Sequence, residues 1–179
     1  MNQKADINSL SKGYKSGTPL HYAAENGHLS VVEFLLNHNA KIDAIGYNEL
    51  TPLHSSSERG YIKVVEYLVQ HGATIDSKNC YNETPLHKSS RKGHKSVVEY
   101  LVKNGSDINS KCGYNWTALH CSSFYGHLSI VEFLVENGAN IYSKDNENMT
   151  PLQCAFKNKQ HSVVKYLANK KGDIQTKTF

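Results

Sequence analysis

One interval governs this chain of 179 residues. The tetrapeptide Thr-Pro-Leu-His starts at Thr18, Thr51 and Thr84, Thr-Ala-Leu-His at Thr117, and Thr-Pro-Leu-Gln at Thr150, each 33 residues after the last. Other columns keep the register: Leu20, Leu53, Leu86, Leu119 and Leu152, then Val32, Val65, Val98, Val131 and Val164. A period of this length marks a repeat architecture, in which one unit cannot bury its own apolar face and stacking does it instead. The register sets units at 18–50, 51–83, 84–116, 117–149 and 150–179. Ala5-Asp6-Ile7-Asn8 repeats the pattern of Ser106-Asp107-Ile108-Asn109, so residues 1–17 are expected to be an incomplete N-terminal unit with a finger two residues longer than the rest. The whole of 1–179 reads as a single domain.

Within each unit the residue types predict helix, turn, helix and a projecting hairpin. Thr18 can cap a helix whose first position holds Pro19, where a missing N–H costs nothing. That helix ends near Asn26-Gly27, because Gly adopts the left-handed conformation that a helix stop needs. The second, about Leu29 to Asn37, carries Val31, Val32, Leu35 and Leu36 on one stripe at helical spacing. The remainder of a unit, such as 75–83, is polar with a turn residue in the middle.

With Thr-Pro-Leu-His, the small pair Ala23-Ala24, Gly27-His28 and the ending Gly138 to Ile141 all recurring at 33 residues, the chain resembles the ankyrin-repeat family along essentially its whole length. The resemblance implies an all-α solenoid of stacked helix–turn–helix units with projecting β-hairpin or loop fingers, and a concave face lined by fingers and first helices. The middle units replace the small pair by Ser56-Ser57, Ser89-Ser90 and Ser122-Ser123, similar in size but able to bond a carbonyl one turn back. The last unit loses most signatures, with Gln153 for His and Lys159-Gln160 for Gly-His, and reads as a C-terminal cap ending in a short tail.

Catalysis and cofactors are not expected. The ten His include two columns, His21, His54, His87, His120 and His28, His94, His127. A residue that returns every unit answers a packing need, whereas a catalytic constellation is built once. No phosphate-binding glycine motif and no C-x-x-C pair occurs, so neither a cofactor nor a metal site is predicted. Cys121 and Cys154 are one stacking step apart, too far for a disulfide, and Cys80 and Cys112 are expected as free surface thiols. No apolar run approaches transmembrane length. The N-terminus carries no secretory pattern, and an intracellular, cytoplasmic or nuclear protein without a membrane partner is expected.

With the shared columns subtracted, a surface remains. The finger tips carry Tyr14, Tyr47, Tyr81 and Tyr114. The position before each Thr, usually polar in the family, holds Leu50, Glu83, Trp116 and Met149 after Gly17. Trp116 is the only Trp, and Phe124 and Tyr125 stand where the other units have Glu25-Asn26, Glu58-Arg59, Arg91-Lys92 and Lys157-Asn158. Clustered aromatics point to a partner, since Trp and Tyr dominate interaction hot spots. Net charge runs +2 for residues 1–17 and then −3, −1, +4, −3 and +5 by unit, the +4 resting largely on Lys88, Arg91, Lys92 and Lys95 beside the aromatics.

The expectation is therefore a non-enzymatic interaction module, a monomer, that takes a protein or peptide on its concave face. Trp116, Phe124 and Tyr125 would anchor it, Lys88, Arg91 and Lys92 would pair with acidic groups, and Tyr47, Leu50, Tyr81, Tyr114 and Met149 would complete the contact. Nucleic-acid binding through the basic third and last units is the alternative, and the alternating charge argues against a continuous stripe for a phosphate backbone. A purely structural spacer within a larger protein is the third reading.

Overall fold

The computed structural model describes residues 6–11, 13 and 16–176, the last six of these by backbone alone. Tyr14, expected at the first finger tip, lies outside the described residues, as do most of the first few positions and the tail from 177. Among the described residues the helices fall in pairs: α1 (Pro19–Glu25) with α2 (Leu29–Asn37), α3 (Pro52–Arg59) with α4 (Ile62–Gln70), and α5 (Pro85–Lys92) with α6 (Lys95–Lys103). Then follow α7 (Ala118–Tyr125) with α8 (Leu128–Glu136), and α9 (Pro151–Lys157) with α10 (His161–Thr176). First helices pack on first helices along the array and second helices on second, which gives an all-α stacked solenoid.

Each first helix starts as its sequence dictates. Thr51 Oγ accepts the backbone N–H of His54 at 3.4 Å, Pro52 takes the first helical position, and Gly60 ends the helix at φ 80°. The apolar columns meet in one continuous core. Leu53, Leu86, Leu119, Val65, Val98, Val131, Leu68, Leu101 and Leu134 are all buried, as are Val64, Val97, Ile130 and Val163. Burial of this kind contributes roughly 25 cal/mol per Å² of apolar surface and is obtained only because a neighbouring unit covers each stripe.

Two sets of polar bonds order the stack, the first within each unit onto the residue that leads into the next first helix, the second between units. In the first, Thr51 N–H donates to His54 Nδ1 at 3.2 Å, which makes Nδ1 an acceptor and leaves Nε2–H to donate to Glu83 O at 2.9 Å. His21, His87 and His120 repeat the pattern onto Leu50 O, Trp116 O and Met149 O at 2.9, 2.9 and 3.2 Å. In the second, His94, His127 and Gln160 reach back one unit to Glu58 O, Arg91 O and Phe124 O at 3.0, 3.0 and 3.3 Å. The His94 ring lies against Gly60 so closely that a Cβ there would come 2.5 Å from Nδ1, which excludes any larger residue. Both histidine columns therefore serve the stack.

The serine pairs divide. Ser56, Ser89 and Ser122 donate to the carbonyls of Leu53, Leu86 and Leu119 at 3.2 Å, as one-turn-back bonding predicts. Ser57, Ser90 and Ser123 have buried hydroxyls with no protein partner.

The fingers depart from expectation. No β-strand occurs among the described residues, so the expected β-hairpins are corrected to tight turns. An outer backbone bond closes each, Gly46 N to Leu50 O at 2.9 Å, Asn79 N to Glu83 O at 3.1 Å, Cys112 N to Trp116 O at 2.9 Å and Asp145 N to Met149 O at 3.0 Å, around a tighter turn bond such as Asn82 N to Asn79 O at 2.8 Å. One more links each finger to its neighbour, for example Gly113 N to Tyr81 O at 2.8 Å. Single rungs with Asn82, Asn115 and Asn148 at φ 56–60° in between cannot extend into a ladder. Tyr47–Glu49 forms a short 3-10 turn instead. At the finger bases Asp43, Asp76 and Asn109 accept N–H groups of Thr74, Asp107 and Asn140 in the next unit, and Asn8 does the same for Lys41. Asn8 thus occupies that column across a finger two residues longer. Cys112, expected on the surface, is buried, in the finger column where Asn79 and Asp145 are buried as well; Cys80 is exposed.

Candidate partner-binding face

The aromatic anchors meet. Trp116 precedes the N-cap of α7 and Phe124 and Tyr125 end that helix, two turns on, so all three fall on one side of one unit boundary. The Trp116 and Phe124 ring centroids are 5.1 Å apart, and Phe124 meets Tyr125 edge-on at 5.0 Å. Trp116 and Phe124 are half-buried, while Tyr125 is 47% exposed. With Tyr114 and Met149 they wall a groove of about 450 Å³ that also meets Arg91 and Lys157.

A buried carboxylate fixes the indole. Asp145 Oδ1 accepts the N–H groups of Glu147 and Met149 at 2.9 Å each, which folds the finger around it, and Oδ2 accepts Trp116 Nε1–H at 3.1 Å. With that donor occupied, the indole offers only its faces and edge carbons to the groove. Sequence reading missed Asp145. Its signal was the column Asn79, Cys112, Asp145, in which Asn79 Oδ1 makes the same turn bonds to Tyr81 and Glu83.

The basic residues are placed otherwise than a free cationic patch. Lys88 Nζ lies 3.4 Å from Glu58 and 3.3 Å from Glu83, and Arg91 bonds to Glu83. Lys92, half-exposed, lies 3.8 Å from Glu58. Burial alone would raise the Glu83 carboxyl; Lys88 and Arg91 outweigh it and hold the group below the ordinary carboxylate range. This charged ridge separates the aromatic groove from a second one of about 720 Å³, lined by Tyr22, Tyr47, Leu50, Glu58, Arg59 and Lys92 among others. Arg59 and Glu25 pair across it at 2.6 Å. Leu50 and Tyr47 are half-buried there, and the Tyr81 and Tyr114 rings project from their fingers, 50% and 67% exposed. The structure thus brings Trp116, Phe124, Tyr125, Tyr114, Met149 and Arg91 to one groove, and Leu50, Tyr47, Lys88 and Lys92 to the other.

A family model for ankyrin repeats, in its three-copy form, matches residues 1–79, 48–112, 75–145 and 111–178. The chain belongs to the ankyrin-repeat family. Ankyrin-repeat folds generally mediate protein–protein interactions and act as non-catalytic scaffolds. Among the described residues no group of His, Cys, Asp and Glu could hold a metal ion, and no helix is long and apolar enough to cross a membrane. Burial pushes the thiols of Cys121 and Cys154 up to about 12 and about 11, so neither supplies a thiolate near neutral pH. A search of curated proteins finds no match for this ankyrin-repeat chain.

Proposed function

We propose that the five units 18–50 to 150–179, with the partial unit before them, work as one domain that recognises a protein or peptide on its concave face. The aromatic groove carries this reading: Trp116, Phe124 and Tyr125 converge there, Tyr114 and Tyr125 are 67% and 47% exposed, and Phe and Tyr stand where the other units hold polar residues. Trp116 supplies a face, Phe124 and Tyr125 an edge, and Met149 the floor, with Tyr81 and Tyr114 on the rim. Lys92 is the basic side chain with most freedom to meet an acidic group, Lys88 and Arg91 being shared with Glu58 and Glu83; Leu50 and Tyr47 extend the contact into the second groove. A groove preformed on a rigid stack loses little entropy on binding, which favours affinity from few anchors.

The test is selection of peptides from a random display library on the wild-type protein, followed by affinity measurement against variants. Phe124→Ala is expected to weaken a selected peptide at least tenfold, about 1.4 kcal/mol, while Lys165→Ala on α10 leaves it unchanged. Peptides that bind both variants as well as wild type would remove the groove from the account.

A further inference from the structure

Among the described residues that line the two grooves, the charges are nearly all matched. On one flank Arg59 pairs with Glu25 at 2.6 Å, and on the other Lys157 pairs with Glu147 at 3.2 Å. Between them the ridge has three cations, Lys88, Arg91 and Lys92, for the two carboxylates of Glu58 and Glu83. One positive charge is left over, and Lys92 is where a partner can reach it. Its side chain is 50% exposed, against 12% for Lys88 and 26% for Arg91, and its contact with Glu58, at 3.8 Å, is the longest on the ridge. The aromatic groove carries the opposite sign. Asp145 lines it, buried, with its oxygens taken by the N–H groups of Glu147, Met149 and Trp116. A partner carboxylate in that groove would face a second carboxylate and find the indole donor already used, whereas an apolar side chain would meet rings and Met149. The surface thus asks for an apolar anchor at one place and a single negative charge at another.

The repeat sets the interval between them. Lys92 and Tyr125 hold the same position on successive first helices, α5 and α7, which pack together, and packed helices lie ~8–10 Å apart. A polyproline-type extended segment, with three residues per turn and about 3.1 Å per residue, brings residues i and i+3 to one side ~9 Å apart. A β-strand sets same-side residues ~7 or ~13 Å apart and misses the interval. An α-helix reaches it only at i+7, which requires about two ordered turns in the partner, and short helices are marginal in water. We infer that the partner segment is extended in polyproline-like form, seats one large apolar side chain among Trp116, Phe124 and Tyr125, and sets one Asp or Glu three positions away against Lys92. This rests on the aromatic groove proposed above and adds the register, the number of charges and the conformation of what binds there. A second acidic residue in the segment gains nothing, because the other cations on this face are matched.

Selection from a random peptide display library, run in parallel on wild type, Lys92→Glu and Phe124→Ala, tests this. Wild type should return a consensus of one large apolar residue with one Asp or Glu three positions from it. Lys92→Glu should keep the anchor and exchange the acid for Lys or Arg at the same spacing. Lys92→Gln, the second variant, removes the charge without reversing it and should weaken a wild-type peptide about two- to fivefold, the range of an exposed ion pair. Circular dichroism verifies that the variants fold. Peptides that depend on Phe124 but carry no acid, carry it at another spacing, or keep it on Lys92→Glu would overturn this inference and leave the groove standing. Peptides that bind Phe124→Ala as well as wild type, or a selection that returns none, would remove the groove and the inference together.

Discussion

The two halves of the concave face share one backbone and differ in what they display. From Glu25 to Lys92 the first helices carry opposite charges that cross from unit to unit, Glu25 to Arg59 and Glu58 to Lys88 and Lys92. From Arg91 to Lys157 the same columns carry Phe124 and Tyr125 beside Trp116, with the charges moved to the margin. Under both halves the histidine bonds are the same: His21 and His54 in one, His87 and His120 in the other, each donating to the carbonyl of the residue before the next Thr. That residue shows the division of labour on a single position. The Trp116 carbonyl holds the stack together while its side chain faces the groove, so the backbone builds and the side chain is free to specify.

The boundary between the halves is where the comparison breaks most readily. Glu83→Ala would strand Arg91 and leave Lys88 with Glu58 alone, and is expected to cost about 3 kcal/mol, the order found when one partner of a buried ion pair is removed. Urea unfolding would measure it, and a loss confined to a few tenths would mean that solvent already screens the ridge.

Acid tests what the halves share. Burial lowers the pKa of His21, His54, His87 and His120, His54 to about 4, despite the carbonyl bonds that favour the charged form. Below the unfolded value near 6.5 the unfolded chain takes up protons that these folded histidines refuse. Stability is therefore full above pH 6.5 and declines as pH falls, for His54 alone by roughly 3 kcal/mol on reaching pH 4. Thermal melts from pH 7.5 to 4 should show the descent begin near 6.5, and His54→Gln should make it shallower.

Smaller effects sharpen the difference between the halves. Trp116→Phe keeps an aromatic ring in its groove but deprives Asp145 Oδ2 of the indole N–H, and should destabilise by about 2 kcal/mol, as expected for a hydrogen bond to a buried charge. Arg59→Gln breaks the 2.6 Å pair with Glu25, whose partners are 55% and 35% exposed, and should change stability by less than about 1 kcal/mol. An Arg59 effect larger than the Trp116 effect, by equilibrium unfolding, would invert the contrast drawn here.

The stack was legible in the sequence because packing constrains residue type at every turn of the period. Helix starts at Thr-Pro, stops at Gly, the buried Leu and Val columns and the structural role of His54 and His87 all follow from it. The fingers were not, since one backbone rung and an Asn at positive φ look in sequence like a two-stranded hairpin. The meeting of Trp116, Phe124 and Tyr125 was legible from column positions alone. Their electrostatic setting was not: Lys88 and Arg91 read as a basic patch because Glu83, just before the cap of their own helix, was counted with the preceding unit, and Glu58 comes near only through stacking. Asp145 escaped notice because the turn bonds it makes are shared with Asn79, while its bond to the indole is peculiar to this one finger.

The central claim is that the aromatic groove is the place of contact, and the sole tryptophan of the chain reports on it. Titrating a display-selected peptide into the wild-type protein should shift Trp116 emission to the blue and protect it from acrylamide quenching, with the same dissociation constant that calorimetry gives. A peptide that calorimetry shows to be bound while Trp116 emission and quenching stay unchanged would contradict the account.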